Sequence, residues 1–327
     1  MQEQMSETIG RCEPVILGLD IGGTKTAVVL GDRTGCIHGR TEFATQPQRG
    51  FDATCAELLA HVDAMQRDAA AGGHSEFVVS VSIGGPLEIE AGIIRNPPNL
   101  PGWVDVPLKE ILTRRIRRPV HIEHDGNAGA LAEWYFGAAR GARNVIFLTM
   151  GTGFGGGLIL GGELYRGTTD LAGEVGHVRI ADDGPLAFGK AGSWEGLCGG
   201  AGIARLAALR YPRKWNTATR TLDVAEAARA GDADALAVLD EVGRHLGRGL
   251  AILLDILNPE VIVIGSLAVR LGELVLRPAR EEMQREALPG AYSACRLVPA
   301  ALGERLGDVA ALCAAIRALG GPLAASP

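Results

Sequence analysis

Apolar residues along this chain fall into two recurring patterns. Short apolar runs sit beside glycines: "VILGLDIGGTKTAVVL", "FVVSVSIGGPLEIEAGII", "NVIFLTMGTGFGGGLIL" and "EVIVIGS". Runs of this kind, bounded by turn residues, read as strands. Between and after them come Ala/Leu stretches with helical spacing, over Ala53 to Ala70, Ala128 to Ala139, Val224 to Leu257 and Val309 to Leu319. Strands interleaved with helices predict an α/β protein. The first and third runs share a plan of strand, Gly/Thr turn and second strand, and each begins one half of the chain. Two such hairpins a domain's length apart predict a duplicated architecture with a cleft between the halves.

The glycines invite two readings. Gly151-x-Gly153-x-x-Gly156 has the spacing of a dinucleotide fingerprint, but that turn must lead from a strand into a helix. Here "LILGGELY" follows Gly157, which reads as a second strand and a turn. "GPLAFGKA" (Gly184 to Ala191) imitates a P-loop, yet Ala191 stands where the Mg²⁺-binding hydroxyl belongs. "LDIGGTKTAVVL" is the stronger signal. Asp20 closes a strand, Gly22 and Gly23 permit a tight turn, and Thr24 and Lys25 follow. Backbone N–H groups of such a turn can cradle phosphate oxygens, and Asp20 can hold Mg²⁺ directly or through water.

Composition narrows the function. The 327 residues are 47% hydrophobic, enough for two domains with large cores, yet no uninterrupted apolar run reaches membrane-spanning length. The start, "MQEQMSETIGRCEP", lacks the apolar centre of a signal peptide, so a cytoplasmic protein is expected. With 32 Lys and Arg against 38 Asp and Glu, the net charge of −6 argues against nucleic-acid or anionic-membrane partners. The basic cluster Arg114 to Arg118 reads as a solvated helix end. Six dispersed cysteines without a Cys-x-x-Cys pair read as reduced, mostly buried thiols.

Candidate chemistry collects in the polar, glycine-flanked segments. "PVHIEHDGNAGALAEW" runs from strand to helix, with Asp125 at the junction as cap of a helix starting near Asn127. A helix N-terminus favours the ionised carboxylate that a base requires. "AGEVGH" offers Glu174 and His177, "GSWEG" offers Glu195, and "NPPNLPGW" spans Asn96 to Trp103. Many hydrogen-bonding groups with few apolar ones suit a polyhydroxylated ligand, because unpaired buried polar groups are costly.

Taken together, "LDIGGTKTAVVL", "NPPNLPGW", "EHDGNAGALAEWYFGAARG", "VIFLTMGTGFGGGLILGGELYRG", "AGEVGH", "GSWEG" and "LNPEVIVIGS" resemble the ROK family of repressors and sugar kinases, in that family's order. The resemblance implies an actin-like, ribonuclease-H-like ATPase fold of two domains around a central cleft. It divides the chain into 13–133 plus 300–320, and 134–299. It implies that Gly22, Gly23, Thr24 and Lys25 hold ATP phosphates, that Asp20 binds Mg²⁺, and that Thr152 and Gly153 make a second phosphate contact. Gly265 would approach the adenosine. Asp125 would be the catalytic base, and Gly84, Gly85, Asn99, His124, Glu174, His177 and Glu195 would bind the sugar. A homodimer is also implied.

Three departures from the family pattern bear on function. The zinc motif common in the family is replaced by "LAFGKAGS", with Leu186, Phe188 and Ser193 at the cysteine positions. Without thiolates His177 has no zinc-binding company. No structural zinc is therefore expected, and an apolar Leu/Phe plug would hold the loop instead. His124 stands where an asparagine is usual, and "GSLA" replaces a Gly-Gly pair at the adenosine segment.

The expected activity is ATP-dependent phosphorylation of a hexose, glucose at the 6-hydroxyl first, with an N-acetylated hexosamine or fructose as alternatives. A sugar-responsive repressor would need a helix-turn-helix module, and 19 residues precede Asp20. A nicotinamide-dependent oxidoreductase would rest on the Gly151 motif alone.

Overall fold

The computed structural model describes residues 14–323, apart from 72, 74 and 75. Cys12 and the N-terminal stretch read for a signal peptide lie outside these residues. Two five-stranded sheets share one plan. In the first, β1 (Val15–Ile21), β2 (Lys25–Gly31) and β3 (Ile37–Ala44) form an antiparallel meander. After β4 (Phe77–Ile83) come the small hairpin β5 (Leu87–Glu88) and β6 (Ile93–Ile94), then β7 (Val120–His124). Strands β4 and β7 add in parallel, giving the order β3-β2-β1-β4-β7. The second sheet repeats this with β8 (Val145–Met150), β9 (Phe154–Leu160) and β10 (Glu163–Tyr165), then β11 (Val261–Ile264) and β12 (Arg296–Pro299). Its order is β10-β9-β8-β11-β12 with the same senses. The Gly151 turn thus joins two antiparallel strands, which removes the dinucleotide reading.

The helices are α1 (Gly50–Ala71), α2 (Leu108–Ile116), α3 (Asp125–Phe136), α4 (Trp194–Cys198), α5 (Gly200–Arg210) and α6 (Thr221–Arg229). They continue with α7 (Ala233–Leu257), α8 (Leu267–Leu271), α9 (Glu273–Glu286), α10 (Pro289–Ala294) and α11 (Leu306–Ala318). The single helical stretch expected from Val224 to Leu257 is broken. Gly231 takes φ +86, and Asp232 starts α7 by accepting from Ala235 N at 2.9 Å. Among the described residues, no helix is long and apolar enough to cross a membrane.

The two central helices are exchanged between the sheets. Helix α3 follows β7 of the first sheet but packs mainly on β8 and β9 of the second. Helix α11 follows β12 of the second sheet but packs on β1 and β4 of the first, and α3 and α11 pack on each other. Ala311, Leu312, Ala315 and Ile316 of α11 bury against Ile16, Val29 and Val78. The glycines of "FGGG" allow the close approach of α3. A Cβ at Gly157 would lie 2.5 Å from Gly126 O, and one at Gly126 would lie 2.5 Å from Gly156 O. Backbone therefore rests on backbone where α3 begins, and its first turn is fixed against the second sheet.

The chain passes between the sheets twice, after α3 and before α11. Fully buried Glu133 ties both passages. Its carboxylate accepts from Ala138 N at 2.8 Å, Ala301 N at 3.1 Å and Leu302 N at 2.9 Å. A buried carboxylate satisfied by three backbone donors is a costly group made stable by its partners.

Candidate active site

A cleft of about 390 Å³ opens at the ends of the central strands. Asp20, Lys25, Ser82 and Asp125 line it together with Phe147, Thr149, Ser266, Arg270 and Asp308. Asp20 is the next-to-last residue of β1 and Asp125 opens α3 directly after β7, so the parallel pairing β1-β4-β7 carries both carboxylates to one rim. Asp308, in the first turn of α11, is the third. Burial pushes the Asp20 carboxyl up to about 7, and the charges of Asp125 and Asp308 push the same way, against Lys25 and the Ser82 hydroxyl. Asp20 and Asp125 bring carboxylate oxygens to one cleft, the donor type that a hard cation such as Mg²⁺ takes.

The sign of that shift gives a test. A carboxyl whose folded pKa lies above its unfolded value keeps its proton better when folded. Stability therefore falls as pH rises between the two values. Removing the charge with Asp20→Asn is expected to stabilise the ligand-free protein at pH 8. Asp20 remains partly open to solvent, so the gain is about 2 kcal/mol rather than the full shift. The gain should fade toward pH 4, and thermal melts of both proteins across this range measure it. An Asp20→Asn protein that melts no higher at pH 8 would contradict the electrostatic account.

The phosphate-turn candidates lie as one unit. Gly22 N donates to Lys25 O at 3.0 Å, and Thr45 fastens the turn by donating its N–H to Thr24 O at 3.0 Å and its hydroxyl to Gly22 O at 2.6 Å. A Cβ at Gly23 would lie 2.7 Å from Asn99 O, so the Asn96–Trp103 loop rests directly on this turn. Lys25 Nζ reaches Glu42 at 3.0 Å, and Glu42 also pairs with Arg40, which holds both oxygens of Asp308 at 2.9 and 3.0 Å.

Helix α3 starts two residues earlier than its sequence predicts. Its cap is His124, whose Nδ1 accepts from Gly126 N at 3.3 Å, while Asp125 lies in the first turn. Asp125 Oδ1 takes the same amide at 2.7 Å, and about half of its side chain stays exposed toward the cleft. With Nδ1 accepting, His124 carries its proton on Nε2, which points to Glu174 Oε1 at 3.6 Å. Gly84 and Gly85 complete this corner. Cβ atoms there would lie 3.6 Å from Asp125 Oδ2 and 2.8 Å from the His124 ring.

Glu195 lies in the first turn of α4, and its Oε2 accepts from Phe154 N at 2.9 Å, beside Gly153. Thr152 and Gly153 sit in the β8–β9 turn, which docks on the start of α5 through Gly200 N to Gly151 O at 2.8 Å. From β8 it is Phe147 and Thr149, the latter three residues before Thr152, that line the cleft. His177 is exposed, and its ring stacks on Phe188 with centroids 3.6 Å apart.

The Leu/Phe plug is not what holds the loop. Leu186 is 63% and Phe188 44% exposed. Backbone pairing does the holding, through Ile180 N to Gly192 O at 2.8 Å and Trp194 N to Val178 O at 2.8 Å, with Arg205 donating to Leu186 O at 2.6 Å.

Gly265 stands at the end of β11, its N–H donating to Leu148 O at 2.9 Å. Ser266 follows with φ 55 and ψ −116, a conformation that glycine favours. Ser266→Gly is expected to relieve about 1 kcal/mol of strain, read as a higher urea midpoint. An unchanged or lower midpoint would show that the backbone there is not strained.

Sequence reading missed Glu123, Arg166 and Asp308. Glu123 is 1% exposed, and its carboxylate pairs with Arg166, which follows β10 of the second sheet, with Arg166 Nε at 3.1 Å. It also accepts from His124 N at 3.1 Å and Asn127 Nδ2 at 2.9 Å. Glu123 thus fixes the residues on both sides of Asp125.

The profile described as "ROK family" matches residues 16–317. A glucokinase of Halalkalibacterium halodurans is 33% identical, covering 90% of this chain and 92% of its own. The crystal structure of a ROK hexokinase from Thermus thermophilus superposes with TM-score 0.81 at 33% identity, covering 94% of this chain and all of its own. A ROK glucokinase from Streptomyces griseus, crystallised with glucose and AMPPNP, superposes with TM-score 0.75 at 33% identity, over 91% of this chain and 98% of its own.

Proposed function

This chain belongs to the ROK family, and from that premise we propose that it transfers the γ-phosphoryl group of ATP to glucose, at the 6-hydroxyl. The observation that carries this reading is Asp125, a carboxylate at a helix start that shares one cleft with Asp20 and Lys25. Glucokinases align over nine-tenths of the chain, and the aligned Streptomyces enzyme was crystallised with glucose and an ATP analogue.

In this reading Asp125 orients the sugar hydroxyl and takes its proton as the phosphoryl group leaves ATP. The Gly126 amide, donating to Asp125 Oδ1 at 2.7 Å, holds the carboxyl group in place at the start of α3. His124 Nε2–H and Glu174 would meet neighbouring hydroxyls, with Gly84 and Gly85 giving the sugar backbone to lie against. Asn99, His177 and Glu195 would complete the sugar shell. The turn from Gly22 to Lys25 would hold the β- and γ-phosphates, Thr152 and Gly153 would approach from the β8–β9 side, and Gly265 would leave room for adenosine. Mg²⁺, bound at Asp20, would supply the positive charge that phosphoryl transfer develops against. Closure of 13–133 with 300–320 onto 134–299 would exclude water. The active form would be a cytoplasmic homodimer.

A coupled ADP-release assay across glucose, mannose, fructose, N-acetylglucosamine and N-acetylmannosamine tests the reading. Glucose should give the highest kcat/KM. A higher value for an N-acetylated sugar would reassign the substrate, and ATP turnover that no sugar stimulates would end the kinase reading.

A further inference from the structure

Outside the cleft, the turn between β2 and β3 gathers three side chains of metal-binding type. We infer that Asp32, Cys36 and His38 form a surface site for a thiophilic divalent cation of the Zn²⁺ class. The site begins in the sequence "DRTGCIH". Cys36 immediately precedes β3 and His38 is the second residue of that strand; both are exposed and their ligand atoms lie close together. Asp32 is carried beside them because the turn closes on itself, with Asp32 N donating to Cys36 O at 3.1 Å. One ligand atom from each of the three lies within 4.8 Å of the others.

The carboxylate of Asp32 is divided in its duties. Oδ1 accepts from Thr34 N at 2.8 Å, Thr34 Oγ1 at 2.6 Å and Cys36 N at 3.3 Å. Oδ2 is left facing His38 Nε2 at 2.7 Å. Outer hydrogen bonds that fix one oxygen and aim the other are how proteins orient a metal-binding carboxylate. The backbone beneath is anchored as well. The Arg33 guanidinium donates to Gly321 O at 2.8 and 3.1 Å, Leu323 N donates to Arg33 O at 3.0 Å, and Gly35 lies against the Phe136 ring.

Tetrahedral Zn²⁺ bond lengths place neighbouring ligand atoms roughly 3.3–3.6 Å apart. Small side-chain rotations on a fixed turn bring the three there and leave the fourth position to water. The sulfur, nitrogen and oxygen set prefers Zn²⁺, Co²⁺ or a similar ion over Mg²⁺. It therefore differs in kind from the carboxylate oxygens of the cleft. A plain Asp–His pair would account for Asp32 and His38 but would give Cys36 no part, and that difference makes the inference testable.

Co²⁺ titrated into the reduced full-length protein near neutral pH is the probe, because a bound thiolate gives a near-ultraviolet charge-transfer band that an oxygen-only site cannot. The expected result is one equivalent of Co²⁺ with that band, displaced by Zn²⁺. Cys36→Ser should abolish the band, His38→Ala should weaken binding at least roughly tenfold, and sugar phosphorylation without added transition metal should be unchanged in both. No band in the unaltered protein, or a band that survives Cys36→Ser, overturns the site.

Discussion

Replacing Asp125 with asparagine is expected to lower kcat by about 10²–10⁴-fold, the usual range for loss of a general base. The KM for glucose and the melting temperature should stay close to their original values. Asparagine keeps an oxygen for the Gly126 amide, which Asp125 Oδ1 now takes at 2.7 Å, so the start of α3 is preserved. What is lost is the capacity to accept a proton. Steady-state kinetics with glucose and a thermal melt on the same preparation separate the two effects. A variant that turns over glucose within tenfold of the unaltered protein removes Asp125 from the role of base.

The second large effect is expected at a buried ion pair behind the site. Arg166→Met leaves the Glu123 carboxylate, 1% exposed, without its cationic partner. Breaking a buried pair from one side costs about 3–5 kcal/mol, because the remaining charge stays desolvated. His124 N and Asn127 Nδ2 would still donate to Glu123, which places the loss toward the lower end. Activity should fall as well, since Glu123 holds His124 and Asn127 on either side of Asp125. Adding Glu123→Gln to Arg166→Met should recover much of the stability, and urea unfolding of the four proteins in the cycle measures the coupling. A loss below about 1 kcal/mol in the single variant would show that the pair does not bear on stability.

These residues also show where reading a sequence stops. The hairpins β1–β2 and β8–β9 were legible because apolar runs, glycines and turns lie within one short segment. The break between α6 and α7 was marked by Gly231 and Asp232 but was masked by continuous Ala/Leu spacing on either side. The exchange of α3 and α11 between sheets was not legible, since it depends on packing between elements far apart in the chain. Asp20, Lys25 and Asp125 could be singled out because each sits in a glycine-marked motif, and they do line one cleft. Glu123 alternates with apolar residues in "HIEH" and looks like the wet side of a strand. Its partner Arg166 is 43 positions away. Glu133 looks like an ordinary helical surface residue, and only the two passages of chain around it make it a clasp. In each case the decisive fact is a distant partner, which local pattern does not encode.

Glu195 carries a consequence for how the two substrates sense one another. One of its oxygens is committed to the Phe154 amide, beside Gly153 in the β8–β9 turn. Under the proposed roles, a sugar that drew on Glu195 would act on the peptide next to Gly153, the residue proposed to approach the phosphates. Binding free energies linked in this way are reciprocal. Whatever factor glucose applies to the affinity for ATP, ATP must apply to the affinity for glucose, and Glu195→Gln should bring both factors toward one together.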